Sequence, residues 1–425
     1  MNKKLEIFLE LALINLFILN LAIGSISNFS NTVFLLKAAA SFLLIVTTGV
    51  VIWSQQLKVR SEEFYKGIKK ISVILLLFIS YLLVTLTYSS NAGYGFQKIL
   101  NFLISDVPAI FVFYYLILTL TKLRIKLFLY SIAVITIITV TYIVINYPFD
   151  QSTIYQFKPE RWSHVIYGRM ISSFAIVLLV YVLALKDKME LFFFIIVTSV
   201  AIYGAYLSAF RAGFIGILVL GAWFFVWGIY LIISKKLLFN HQTTNYAPCL
   251  PAGRLRTIEL TLVPFLLAAL LIITVPKPGI VDSRFGNMLS VDDMQFKNDP
   301  AIHSRLDAWE LSWEIIKENP VIGIGLGGFN GYNNIEWTKE MKYPHNIILE
   351  MTSEGGVVGL LVLGSLFLVI FKSFRPVSQF LGLTSYVLLL TFFLFTLFLA
   401  MFSKDISSQS ILWIFIAFIG LRRWS

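Results

Sequence analysis

The stretch ISVILLLFISYLLVTLTY at 71 to 88 holds no charged residue over a length that spans a bilayer as a helix. Comparable runs recur at roughly 5 to 23, 32 to 53, 99 to 121, 127 to 146, 169 to 185, 190 to 210, 213 to 233, 258 to 275, 355 to 371, 379 to 401 and 407 to 421. That makes about twelve. A spanning strand needs only about 9–11 residues in strict alternation, and these runs are continuous and about twice that length. The expected fold is therefore an all-α integral membrane protein. Composition agrees, because 58% of the 425 residues are hydrophobic and only 13% are charged, against about 25% charged in a soluble domain.

The net charge of +11 suggests nucleic acid in a soluble chain, but here it is first a question of topology. With the N-terminus inside, every inner connection is basic, from Lys3 and Lys4 to Arg422 and Arg423. Inner segments then hold 20 basic and 5 acidic residues, and outer segments 13 and 15. Both termini are expected in the cytoplasm, and no nucleic-acid partner is expected. The start of the chain superficially resembles a signal peptide ending near Gly24, but Glu6 and Glu10 interrupt its apolar part, so an uncleaved first helix is the simpler reading. The one cysteine, Cys249, excludes an intrachain disulfide framework and a Cys-rich metal site.

Three regions follow: transmembrane helices one to nine over 1–275, a large outer loop over 276–350, and helices ten to twelve over 351–425. A connection that long inside a compact bundle is usually functional. Within it, SRLDAWELSWEIIKENP (304 to 320) predicts a helix capped by Ser304 and stopped at Pro320, with Leu306, Trp309, Trp313 and Ile316 on one face. Such a helix suits the membrane surface. The inner stretch 234 to 257 reads as a connector.

Polar residues crowd the outer side: Arg161, His164, Arg169, Arg211, Arg284, His303, Arg305, Tyr343, His345 and Glu350. Arg211 stands in SAFRAG between two apolar runs, either snorkelling to the interface or donating two hydrogen bonds to phosphate. Asp106, beside Pro108, is either a proton relay or a carboxylate paired with an arginine or Lys98; Lys37 reads as similarly paired, with no assigned role. Gly323, Gly325 and Gly328 formally match G-x-G-x-x-G, but no strand–helix–strand unit surrounds them, so no dinucleotide site is expected. Asp292 and Asp293 are adjacent and lack the Asp-x-Asp spacing of metal-dependent transferases, so no metal is expected. The segment YPHNIILEMTSEGGVVG (343 to 359) puts His345 just before the tenth helix, where an imidazole that titrates near neutrality either takes a proton from a hydroxyl or serves a structural end.

Taken in order, Arg211 in SAFRAG, Arg305 in SRLDAW followed by ENPVIGIGLGGF, and His345-Asn346 followed by Gly356 and Gly359 resemble the O-antigen ligase and polymerase superfamily. These are bacterial membrane enzymes that handle polyprenyl-diphosphate-linked glycans at the outer face of the inner membrane. The resemblance implies a GT-C-like fold with a large helical periplasmic loop between helices nine and ten. It also implies an inverting, metal-independent glycosyl transfer without a cofactor, from an undecaprenyl-diphosphate-linked glycan to a sugar hydroxyl. The acceptor is a lipid A core oligosaccharide in a ligase and a growing glycan in a polymerase. His345, Arg305 and Arg211 are the implied catalytic residues, with Arg161, Arg169, Tyr343, Asn346, Glu350 and Asp405 around substrate. A secondary transporter, which binds substrate at the midplane between repeated halves, and a non-catalytic scaffold of the same fold are the competing readings.

Overall fold

A computed structural model describes residues 3–24, 26, 31–54, 61–119, 121–146, 164–185, 187–208, 210–238, 254–275, 300–332, 343–381, 383–403 and 405–421. Among them every regular element is helical: α1 (Lys3–Gly24), α2 (Asn31–Ser54), α3 (Ser61–Leu86), α4 (Ala92–Asn101), α5 (Val107–Leu118), α6 (Lys122–Asn146), α7 (His164–Ala184), α8 (Lys188–Leu207), α9 (Arg211–Leu238), α10 (Arg254–Thr274), α11 (Pro300–Glu318), α12 (Ile347–Leu381) and α13 (Leu383–Ala400), besides single turns. Seven are long and apolar enough to cross a membrane: Leu5–Gly24, Thr32–Trp53, Phe64–Leu86, Ala92–Leu118, Leu123–Ile145, Lys188–Leu207 and Ile347–Phe374. Shorter apolar helices lie at Tyr167–Leu183, Arg211–Trp223, Leu260–Thr274, Leu389–Ala400 and Ser410–Leu421. The chain is a multi-pass membrane protein. Its helices turn bare apolar surface outward, as at Leu76, Leu77 and Val84 on α3, which lipid tolerates and water does not.

The chain divides into two compact units, one of residues 1–131 and 292–425, the other of residues 132–291. In the second, α7, α8, α9 and α10 pack against one another. Small residues allow this: a Cβ on Gly168 would stand 2.2 Å from that of Phe210, and one on Gly213 would stand 2.2 Å from Ser172 Oγ.

In the first unit the core joins α1, α2, α3, α5 and α12 around the last apolar segment. From 405 to 420 every residue of that segment is buried. Trp413 is enclosed by Phe78, Phe102 and Phe367 at centroid distances of 5.7, 5.7 and 6.5 Å. The expected regular helix over 407 to 421 is instead a chain of short turns, Ile406–Ser408, Ser410–Trp413, Ile414–Ile416 and Ala417–Leu421. The physical reason is its polar start: Gln409 Nε2 donates to Ser403 O at 2.8 Å and Ser410 Oγ donates to Asp106 Oδ1 at 2.5 Å, which compete with regular helix bonding.

Three charges placed inside apolar runs find partners. Arg124 Nε donates to Glu10 Oε2 at 2.7 Å, which ties the first helix into the bundle. Lys37 Nζ donates to Ile26 O at 2.5 Å and to Asn101 Oδ1. Asp106 takes the Ser410 hydroxyl and not Lys98; the residues Phe102–Asp106 form a π-helical turn, which accommodates Pro108 and its missing N–H. Helix α11 starts at Pro300, so Ser304 lies inside it and is not its cap; proline suits a first turn.

Candidate active site

The turn that leads into α12 is built on one strained residue. His345 has φ of 59°, the one non-glycine residue with positive φ among those described. This backbone region costs an L-residue roughly 1–2 kcal/mol, and such outliers persist where their surroundings over-determine them. Three contacts do so here. Asn346 Oδ1 accepts from the Ile348 and Leu349 amides at 2.9 and 3.2 Å, capping the helix. The Tyr343 ring lies 4.5 Å from the imidazole. Trp309 Nε1 donates to Pro344 O at 3.0 Å.

That last bond joins two motifs. Trp309 stands one helical turn after Arg305 on α11, which packs on α12. The expected surface helix is therefore anchored on one side and open on the other. Ala308, Leu311 and Ile315 are buried with Phe329, whereas Leu306 and Trp313 are exposed by 50% and 55%.

Gly356 explains the second part of the signature. It has φ of 61° and ψ of −160° inside α12, so the helix is broken there. The break releases backbone groups that the loop after α11 satisfies. Ile324 N donates to Ser353 O at 3.1 Å and Gly325 N to Glu354 O at 2.8 Å, while Val357 N donates to Pro320 O at 2.8 Å and Val358 N to Val321 O at 3.2 Å. Broken helices survive at membrane depth only when such bonds are remade. The glycines at 323 to 328 thus serve close backbone packing: a Cβ on Gly325 would stand 2.5 Å from Thr85 O.

Behind the turn lies a charge cluster that sequence reading missed. Lys98 reads as a charge in an outer connection, yet it lies on α4 and is 1% exposed. Its Nζ donates to Glu350 Oε1 at 2.6 Å and to both oxygens of Glu354 at 3.0 Å. Glu350 Oε2 accepts from the Ile406 amide at 2.9 Å. The neighbouring Asp405 is fully buried, accepting from Tyr94 OH at 3.4 Å and Ser407 Oγ at 3.1 Å. A weak signal for Lys98 was present: it abuts the apolar run that begins at 99, where a lysine is costly unless paired.

The first unit thus brings together Tyr343, His345, Asn346, Glu350 and Asp405, with Arg305 on the helix docked against their turn. Arg211 and Arg169 belong to the second unit, where Arg211 opens α9 and Arg169 is buried on α7. Arg161 and Arg284 lie outside the described residues, as do Asp292, Asp293 and Cys249.

Residues 194–364, about two-fifths of the chain, match the family model of O-antigen ligase. The matched segment is similar to the O-antigen ligase family and supports the resemblance to the O-antigen ligase and polymerase superfamily. The O-antigen ligase segment takes in Arg211, Arg305, His345, Asn346, Gly356 and Gly359, and leaves out Lys98, Arg161, Arg169 and Asp405. No curated protein matches the chain.

Proposed function

We propose that this protein is a metal-independent, inverting glycosyltransferase of the O-antigen ligase type, working at the outer face of a bacterial inner membrane with both termini in the cytoplasm. It moves a polysaccharide from undecaprenyl diphosphate to a sugar hydroxyl of a lipid A core. The observation that carries the reading is the turn in which Asn346 and Trp309 hold His345 at positive φ against the helix of Arg305.

Chemically, the acceptor oxygen bonds to the anomeric carbon as the bond from that carbon to the diphosphate oxygen breaks. The electron pair leaves with the diphosphate, and the hydroxyl proton passes to the imidazole of His345. Negative charge grows on the leaving group, and the Arg305 guanidinium suits it because it donates two parallel bonds to phosphate oxygens. Arg211, Arg169 and Arg161 are assigned to substrate on residue chemistry, Arg211 with the added support of the motif resemblance. Glu350 and Asp405 direct their oxygens to Lys98, Ile406, Tyr94 and Ser407, so their part is to fix the site. Tyr343 packs on the imidazole and is assigned to the sugar.

The test is to incubate the purified protein with a lipid-diphosphate-linked glycan and either lipid A core or a second glycan repeat. Glycan on lipid A core supports the ligase reading. A ladder on the polyprenyl carrier replaces it with the polymerase reading, and no transfer to either acceptor removes both.

A further inference from the structure

The part of α12 before the break, 347 to 355, is short and ends at Gly356. Its place is set by contacts from outside it: Ile347 and Met351 pack into the core, the loop after α11 donates to Ser353 O and Glu354 O, and His345 and Asn346 are carried at its start. Glu350 and Glu354 are four residues apart, so they share one helix face, and both are almost fully buried. Two carboxylates on one buried face repel and lack water, which makes the face unfavourable without a cation.

Lys98 is the cation that meets both, and it comes from α4, more than 250 residues away in the chain. Its ammonium also stands 5.1 Å from the centre of the Tyr94 ring, and Tyr94 OH donates to Asp405. Glu350 is shared in turn with the Ile406 amide, at the start of the buried last segment. One ammonium therefore connects three pieces of backbone: α4, the half-helix behind His345, and the turn that holds Asp405.

We propose that Lys98 is a positioning residue of the active site, which through Glu350 and Glu354 sets the place of the His345 turn. This rests on the reading of His345 as the group that receives the acceptor proton. Lys98 has no contact with substrate in this account. Its removal displaces the half-helix, and a misplacement of about 1 Å costs about 100-fold in rate.

The experiment compares the wild-type protein in lipid nanodiscs with Lys98→Met, Glu354→Gln and the charge exchange K98E/E354K. It measures amide hydrogen exchange over 343 to 357 and, separately, kcat and KM for a polyprenyl-diphosphate-linked glycan. Lys98→Met is expected to raise exchange in that segment at least about tenfold and to lower kcat about 100-fold with KM changed by less than about threefold. The charge exchange is expected to reverse most of both effects, which a loss of packing alone does not allow. Glu354→Gln keeps the Lys98–Glu350 pair and so remains folded even if Lys98→Met does not. It is expected to raise exchange in the same segment by a smaller factor. Unchanged exchange in both single variants overturns the proposal. Faster exchange with kcat intact overturns the positioning role while verifying the anchor, and so assigns the failure to the reading of His345.

Discussion

The break at Gly356 gives the sharpest energetic prediction. Replacing Gly356 with Ala asks an L-residue to adopt φ of 61° with ψ of −160°, a region that is essentially glycine's alone and costs about 1–3 kcal/mol. The new Cβ would also stand 2.2 Å from Val321 O, 2.3 Å from Val321 C and 2.6 Å from Ile322 N. These are backbone atoms, so relief requires the loop to move. Movement stretches the bonds from Val357 N to Pro320 O and from Val358 N to Val321 O, each worth about 0.5–1.5 kcal/mol. The expected loss is about 2–6 kcal/mol. Gly364 in the same helix is the control, because a Cβ there meets nothing within 4 Å. Gly364→Ala is expected to be neutral or to stabilise by up to about 1 kcal/mol. Unfolding of both variants in the same detergent by denaturant titration measures the contrast. A Gly356→Ala protein as stable as Gly364→Ala would refute the broken helix and its role in the signature.

Three further outcomes follow from the same geometry. Trp309→Phe removes the donor to Pro344 O and part of a ring that packs on Phe402, so it is expected to cost at least about 0.5–1.5 kcal/mol of stability and to lower kcat more than it raises KM in a steady-state transfer assay. His345→Ala is expected to be less stable than His345→Gly by about 1–2 kcal/mol, because only the backbone at φ of 59° distinguishes them; equal unfolding midpoints would contradict the strain. Tyr332 donates to Glu318 Oε2, which pushes its phenol from 10.0 up to about 12. The raised value favours the protonated form in the folded state, so this contact stabilises fully below pH 10 and is lost towards pH 12. Tyr332→Phe, followed by unfolding at both ends of that window, is expected to differ from wild type only at the lower.

Much of the fold was legible because lipid imposes a coarse rule. A run of some twenty apolar residues without charge reads as a spanning helix whatever its neighbours, and most of the described residues in the expected runs are helical, the last run being the exception. What packing decides was not legible. The last run has the composition of a lipid-facing span, yet it lies at the centre of its unit. Gly356 reads as a small residue for close packing, and only its torsion angles reveal a break. Trp309 looks like a headgroup-level aromatic because sequence shows its apolar ring and not the partner of its N–H. Lys98 has no acid within its own helix, and its partners come from a distant part of the chain. The segment around His345 and Asn346 was marked by residue type and by resemblance, whereas the capping by Asn346 and the strain at His345 are seen only in the fold.

In the proposed function, fixed side chains of this protein move a glycan from a lipid diphosphate to a sugar hydroxyl. The most direct measurement is release of undecaprenyl diphosphate coupled to glycan transfer, by purified wild-type protein and by Arg305→Ala, His345→Ala and Arg211→Ala variants inserted to the same level. Stoichiometric release and transfer by the wild type, with loss of at least about 100-fold in each variant, is the predicted result. Full transfer by all three variants would contradict it.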